Sequence, residues 1–342
     1  MMTIVVLVIA MALLFDFLNG MNDAANSIAT VVSTRVLTPL QAVAWAAFFN
    51  FIAAFGLGTE VANTIAKIVH PDLVTLPMVL AALSGAIIWT HVCTKAGLPI
   101  SVSHALIGGV VGAALAKIGL HAGWHALNQK KLGEVAMFIV ISPVAGLIGA
   151  IALSIAQAWA FRRASRQTVT KVFRWGQLVS SAAFSLSHGA SDAQKMMGII
   201  MLALIAGGQL KADYKAVPEW IPLSAYTAIG LGTLAGGWSV IHTMGTKLTK
   251  LQPSGGFCAE TSGAVVCLAT AHFGIPVSTT HTITGSIMGV GAAHRLGAVR
   301  WGVAGKILWA WVLTIPCSAL VSALTWWGLQ KAAGVFDTGS GL

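Results

Sequence analysis

Two stretches of this chain place a proline just ahead of a hydroxyl cluster that ends in histidine: Gly97-Leu-Pro-Ile-Ser-Val-Ser-His104 and Gly274-Ile-Pro-Val-Ser-Thr-Thr-His281. Proline drives its predecessor out of the helical region, and a Ser or Thr just after it caps a new helix. Each stretch is therefore predicted to open a helix with free N–H groups beside the hydroxyls of Ser101, Ser103, Ser278, Thr279 and Thr280. Such a helix start binds oxyanions through its N–H groups and the positive end of its dipole. The structural alternative is a capped helix in a protein-filled re-entrant segment. Two further stretches bring acids: Gly20-Met-Asn22-Asp23-Ala-Ala-Asn26 and Gly189-Ala-Ser-Asp192-Ala-Gln-Lys195. Their structural alternative is an ion pair or a cap at a helix break.

The elements that must position these residues are membrane helices. Only 9% of the chain is charged and 56% is hydrophobic, whereas a soluble domain carries about 25% charged residues. The mean hydropathy is +0.82. Apolar blocks such as 137–161 and 301–329 are long enough to span a bilayer as helices. Strand-type alternation is missing, which disfavours a membrane barrel. The net charge of +10 comes with no nucleic-acid motif and suits cytoplasmic loops instead. Crossings are predicted at roughly 3–33, 40–58, 77–95, 99–118, 134–161, 174–208, 222–242, 255–273, 277–294 and 301–329. The first and sixth are too long for one simple helix and are expected to break at their glycine-bearing polar motifs. With the N-terminus outside, every arginine (Arg35, Arg162, Arg163, Arg166, Arg174, Arg295, Arg300) falls on the inner side. This predicts both termini outside the cytoplasmic (inner) membrane.

The chain also repeats itself. Phe15 to Ala24 matches Phe184 to Ala193, which aligns Gly20 with Gly189, Asp23 with Asp192 and Asn26 with Lys195. The two proline motifs align in the same order, and Val61-x-x-Thr64 loosely echoes Val240-x-x-Thr243. An odd number of predicted crossings separates the copies, so they run in opposite senses through the bilayer. Inverted repeats with interrupted helices mark secondary transporters whose site lies near the midplane. The predicted fold is thus all-α and polytopic, with discontinuous helices, half-helices and about 10–12 membrane segments. Residues 1–161 form the first repeat, 162–174 a basic cytoplasmic linker and 175–342 the inverted second repeat.

An aspartate inside a span costs roughly 3 kcal/mol on insertion scales, so Asp23 and Asp192 at matched positions are expected to be functional. A carboxylate tolerates an oxyanion that still carries a proton to donate. Hydrogen phosphate does, and sulfate near neutral pH does not. Glu260 is another deep acid, with Ala82 near its matching place, and is a candidate cation or proton site. Asp16 lies to one side of the first polar motif and is expected to face solvent or a partner. His104, His188 and His281 lie in different segments without metal-ligand spacing, so helix-capping or supporting roles are expected and no metal site. Cys93, Cys258, Cys267 and Cys317 make no CxxC pair and read as free thiols. The alternatives are a sulfate permease on the same fold, a channel, and an intramembrane hydrolase. No GxSxG or HExxH occurs, and doubled Ser–His pairs suit binding better than catalysis, so no enzyme is expected.

These motifs resemble the inorganic phosphate transporter (PiT) family over nearly the whole chain. Both signatures, Gly-x-Asn22-Asp23-Ala-x-Asn26 and Pro-x-Ser-x-Ser/Thr-His followed by Gly, occur in both halves. The resemblance implies an inverted-repeat fold, symport of phosphate with sodium or protons, and a homodimer in the bilayer. It implies phosphate contacts at Asn22, Asp23, Ser101, Ser103, Asp192, Ser278, Thr279 and Thr280. Cation coupling would involve Asp23, Asn26, Asp192, Lys195 and Glu260, with no cofactor beyond H+ or Na+. Three departures stand out: Asn50 where sodium-coupled members carry an acid, Lys195 where they carry Asn, and Val102 where Thr is common. Lysine at 195 would fix a cation where a mobile ion otherwise binds. The pattern is similar to the bacterial proton-linked low-affinity branch, which implies proton coupling and phosphate carried free or as a metal–phosphate complex. The chain lacks the large cytoplasmic insert of some relatives.

Overall fold

The computed structural model describes residues 2–55, 60–70, 73–211 and 216–338. Among these residues the chain is helical throughout, apart from turns and one isolated bridge between Val69 and Leu127. The end of the predicted 40–58 crossing lies outside the described residues.

The two halves run through the same order of elements. Each begins with a long helix that carries the aspartate motif: α1 (Met2–Ser33) and α8 (Arg166–Ala206). A short apolar helix follows, α2 (Pro39–Ile52) or α9 (Trp220–Ala235). Next comes a stub: α3 (Glu60–Ile65) in the first half, α10 (Trp238–His242) with a π turn at Thr243–Lys247 in the second. A helix–break–helix pair comes after it, α4 (Leu76–Lys95) with α5 (Val102–Ile118), and α11 (Pro253–His272) with α12 (Thr279–His294). The first half adds α6 (Leu120–Ala126). Each half closes on a long helix with an internal proline: α7 (Gln129–Ala160) at Pro143 and α13 (Trp301–Thr338) at Pro316. The helices α1, α4, α7 and α13 are long and apolar enough to cross a membrane.

The breaks fall where proline and glycine put them. Gly97 and Gly274 follow α4 and α11 at φ +67° and +66°, a left-handed conformation that glycine adopts without a Cβ clash. The next N–H groups then turn back: Leu98 N donates to Cys93 O at 3.0 Å, and Ile275 N to Thr270 O at 2.9 Å. Pro99 and Pro276 keep the chain extended, and Ser101 and Ser278 cap the following helices by accepting from His104 N and His281 N, each at 3.2 Å. Discontinuity therefore lies between the paired helices, not inside α1 or α8. The expected breaks at Gly20 and Gly189 do not form, because neither motif holds a proline and its polar side chains bond to other helices, leaving the backbone ladder whole. The predicted 222–242 crossing does break, at Gly236 (φ +67°). Much of the basic stretch 162–174 is helix: α8 starts at Arg166, with Ser165 accepting from Thr168 N at 3.1 Å.

Gly20 and Gly189 act instead as crossing points between the halves. A Cβ on Gly20 would lie 2.2 Å from Ile229 O in α9, and one on Gly189 2.5 Å from Asn50 O in α2. Gly232 of α9 approaches α1 so closely that a Cβ would stand 2.0 Å from Phe17 O. The half-helices cross over in the same way. Gly108 and Gly112 of α5 press on Ile315 O and Ala319 O of α13, while Gly285 and Gly289 of α12 press on Pro143 O and Leu147 O of α7. Small residues let helix backbones approach in lipid, where dispersion replaces the hydrophobic drive. Hydroxyls strengthen the α5–α13 contact, with Ser322 donating to Gly109 O at 2.7 Å. The stubs brace the opposite breaks: Thr64 donates to Gly274 O at 2.8 Å and Ser239 to Thr94 O at 2.7 Å. Outward faces of α7 and α13 remain apolar, with Val140, Ile148, Trp309, Val312 and Leu320 exposed. All four cysteines are free thiols.

Gly232→Leu is expected to lower the detergent unfolding temperature sharply, since forcing atoms into a packed crossing costs about 1–3 kcal/mol or more. Gly305→Ala, with no atom within 4 Å of its added Cβ, is the control and should unfold at the parent temperature in the same thermal scan.

Candidate functional site

The packing above drives the middle of α1 and α8 into the protein interior, where both are buried on every side. The α5 and α12 starts arrive there from opposite halves. Asp23 and Asp192 meet at Thr279, whose hydroxyl lies 3.4 Å from Asp23 Oδ2 and 3.3 Å from Asp192 Oδ2. Thr280 Oγ1 lies 3.3 Å from Asp23 Oδ1. Asn22 Nδ2 donates to Asp23 Oδ1 at 2.7 Å, and its own Oδ1 accepts from Thr94 at 2.8 Å.

The two copies then bond across the halves at equivalent positions. Asn26 Nδ2 donates to Thr280 Oγ1 at 2.9 Å, and Lys195, the residue aligned with Asn26, donates to Ser103, aligned with Thr280, at 2.5 Å. Lys195 also donates to Asp192 Oδ1 at 2.5 Å and to Val277 O at 2.7 Å. One ammonium thus ties an aspartate to both helix starts. Nothing in the cluster is open to solvent: Asp23, Asp192 and Lys195 are at most 2% exposed.

His188 sits between the carboxylates, not at the periphery where a supporting role would place it. Its Nε2 lies 3.3 Å from Asp192 Oδ2 and 3.7 Å from Asp23 Oδ2. Its Nδ1 faces Asn50 Oδ1 at 3.2 Å. The amide orientation follows from its other contact. Thr233 spends its hydroxyl proton on Ile229 O at 2.9 Å, so it accepts from Asn50 Nδ2, also at 2.9 Å. Nδ1 must therefore donate to Asn50, and Nε2 is turned toward both aspartates without a hydrogen bond of normal geometry. Were Nε2 also protonated, two cations would face the two carboxylates and the buried charges would balance.

The other predicted residues fall nearby or apart. Ser101 and Ser278 are buried and accept bonds from their own helices, so they shape the half-helix starts. His104 and His281 meet ring to ring at 4.7 Å, and His281 stacks on Trp311 at 3.7 Å. Trp311 Nε1 in turn donates to Pro99 O at 3.0 Å. Glu260 does not join the cluster. It accepts from Thr30 at 2.5 Å, Gln177 at 3.0 Å and Ser180 at 2.5 Å, further along α1 and α8. Asp16, expected at solvent or a partner, is fully buried within the chain. In space, Asp23, His188 and Asp192 each bring one ligand atom within 4.8 Å of the others. Such a set of oxygen and imidazole donors can hold a cation, a grouping the separate sequence segments hid.

Sequence reasoning missed Thr94, Thr30, Gln177, Ser180 and Trp311. A signal existed for Thr30: Asp16, Asn19, Asp23, Asn26 and Thr30 recur at three and four residues, one face of a helix. The others are single polar or aromatic residues without a repeat partner to flag them.

Comparison with known proteins places this arrangement. The profile of the family described as "Phosphate transporter family" matches residues 19–322. A protein of Rhizobium meliloti (strain 1021), "Probable low-affinity inorganic phosphate transporter", is 52% identical over 326 residues, covering 95% of this chain and 96% of its own. A protein of the same description from Bacillus subtilis (strain 168) is 41% identical over 334 residues, covering 96% and 98%. Among solved structures, "The sodium-dependent phosphate transporter" superposes with a TM-score of 0.85 at 27% identity, covering 96% of this chain and 99% of that one.

Lys195→Met is expected to destabilise the fold by roughly 3–5 kcal/mol, because it strands a buried carboxylate. Lys195→Met with Asp192→Asn should recover part of that loss. Equal unfolding temperatures for the single and double variants would refute the pairing.

Proposed function

This chain belongs to the phosphate transporter family, and from that premise we propose that it is a proton-linked symporter that takes phosphate into the cell by alternating access. The chain is a transporter, not an enzyme, and its cargo is phosphate. The observation that carries the finer reading is the convergence of Asp23, Asp192 and the α12 start on Thr279. Phosphate is bound where α5 and α12 aim N–H groups and hydroxyls at a common point, and its remaining protons are donated to the two carboxylates. Asn22, Ser103, Thr279 and Thr280 supply the polar contacts, while Ser101 and Ser278 hold the helix starts in register. The full burial of the cluster supports an occluded conformation. Loading from either face requires one bundle to swing from the other at the glycine crossings, the rocking motion that inverted repeats permit.

Lys195 supports the choice of proton over sodium. Its ammonium sits where the first copy holds Asn26, and with His188 protonated at Nε2 as well it neutralises both aspartates without a mobile metal ion. Glu260 serves as a separate proton or cation site, carried by hydroxyl and amide donors alone. A second form of cargo, a metal–phosphate complex, is favoured by the Asp23–His188–Asp192 grouping, which could ligate the accompanying metal only when His188 Nε2 carries no proton. The arginine distribution supports both termini outside the cytoplasmic membrane.

Uptake of radiolabelled phosphate into proteoliposomes is expected to follow an imposed inward proton gradient and to persist without sodium. Dependence on a sodium gradient alone would overturn the coupling, and preference for sulfate would overturn the proton-donation argument. In the same assay Lys195→Asn should acquire sodium dependence. Thr279→Val should raise the half-saturating phosphate concentration about tenfold or more, since a hydrogen bond to a charged group contributes ~1.5–3 kcal/mol.

A further inference from the structure

Three acid positions lie along one face of α1. Asp23 is at the centre. Seven residues later Thr30 bonds to Glu260, and seven residues earlier stands Asp16. Seven residues are close to two helical turns, so the three positions share a face at intervals of about 10 Å. Asn19, Asn22 and Asn26 occupy the turns between, and all are buried. Asp23 and Glu260 are enclosed by donors. Asp16 is not: neither carboxylate oxygen has a hydrogen bond of normal geometry among the described residues, and it is fully buried.

Its immediate surroundings are neutral polar groups. Asn19, one turn on, turns its side-chain amide toward the carboxyl as a donor, short of a hydrogen bond of normal geometry, while its own Oδ1 stays unbonded. Tyr226 of α9, buried and within electrostatic range, turns its hydroxyl toward Gln194 and forms no hydrogen bond to Asp16. The charged and titratable groups within electrostatic range on α8 are Asp192, His188 and Lys195, none within ion-pairing distance. The aligned residue of the second copy is Ser185, so the acid belongs to the first copy alone. A bare carboxylate so placed would be uncompensated, and buried carboxyls in this position neutralise by taking a proton. A metal ion needs a ring of ligands and room for its radius, whereas a proton needs one acceptor and no cavity.

We infer that Asp16 is a proton-carrying site of the transport cycle, two turns from the central aspartates on the side of the α1 N-terminus. It loads when that side opens and returns its proton as the cycle turns over. This rests on the proton-linked transport reading above and adds a second carboxyl to the coupling path.

Two measurements test it. Proteoliposomes holding Asp16→Asn should exchange external for internal phosphate at equilibrium, yet fail to accumulate phosphate under a proton gradient beyond the level seen without one. Asp16→Glu should restore accumulation. Gradient-driven accumulation by Asp16→Asn with the parent pH profile would overturn the inference, and so would loss of exchange in a variant that still unfolds at the parent temperature, which would assign Asp16 to the cargo site. If Asp16→Asn does not fold, the parent protein decides. Dicyclohexylcarbodiimide, which attacks protonated carboxyls in apolar surroundings, should modify Asp16 by peptide mass spectrometry, and less so as pH rises. A peptide unmodified at every pH overturns the inference. Absence of phosphate exchange in the parent chain would strike the transport reading itself, which separates the two failures.

Discussion

Two carboxylates held a few ångströms apart in the dry interior of a membrane protein repel each other and lose their hydration, so they persist only where other groups replace both. Asp23 and Asp192 satisfy this through His188, Lys195, Thr279, Thr280 and Asn22. Every one of those partners is itself fixed by a second contact. Lys195 reaches Ser103 and Val277 O, His188 is oriented by Asn50, and Asn22 is oriented by Thr94. A low dielectric strengthens such a network when it is complete and makes it costly when a member is missing. On the transport reading proposed above, opening the site to either side exchanges these contacts for phosphate oxygens and water, which would couple cargo binding to movement of the helices.

The backbone serves this network by exchange between the halves. α1 crosses α9, α8 crosses α2, α5 packs on α13 and α12 on α7, each at a glycine whose Cβ would collide with a carbonyl of the other half. Neither half could assemble its side of the site alone, because Asp23 finds Thr279, Thr280 and His188 on the second copy, and Lys195, which pairs with Asp192, is held by Ser103 of the first. Proline shapes the same assembly twice. Pro99 and Pro276 open the half-helices, and Pro143 and Pro316 lie in the long helices that receive them.

Much of this was legible in the residues. The proline–serine motifs dictate their helix starts locally, through φ restriction and capping, and those starts are where the sequence puts them. The matched aspartates follow from repetition together with the cost of burying a charge. What stayed hidden depended on tertiary approach. Glycine in Gly20-Met-Asn22-Asp23 suggests a break when read locally, but its function is contact with Ile229, which no local rule exposes. His188 looks peripheral in sequence, because its two aspartate neighbours include one that is distant in the chain. Asp16 reads as a surface acid until the packing of α9 and α8 on α1 buries it.

The departures from symmetry carry the remaining chemistry. Where the copies agree, at Asp23 with Asp192, Ser101 with Ser278 and Ser103 with Thr280, they build a cradle suited to a tetrahedral anion approached from two sides. At four of the places where they differ, one member is charged or titratable and the other is not: Lys195 against Asn26, His188 against Asn19, Asp16 against Ser185, and Glu260 with Ala82 near its matching place. On the proton-linked reading proposed above, a duplicated site with no such differences would hold its cargo equally from both faces but would have no fixed place for a coupling ion. Each of these substitutions alters charge or proton capacity without altering backbone course, since α1 and α8 stay helical through their motifs. The shape of the site thus follows from duplication, and its electrostatics follow from divergence between the copies.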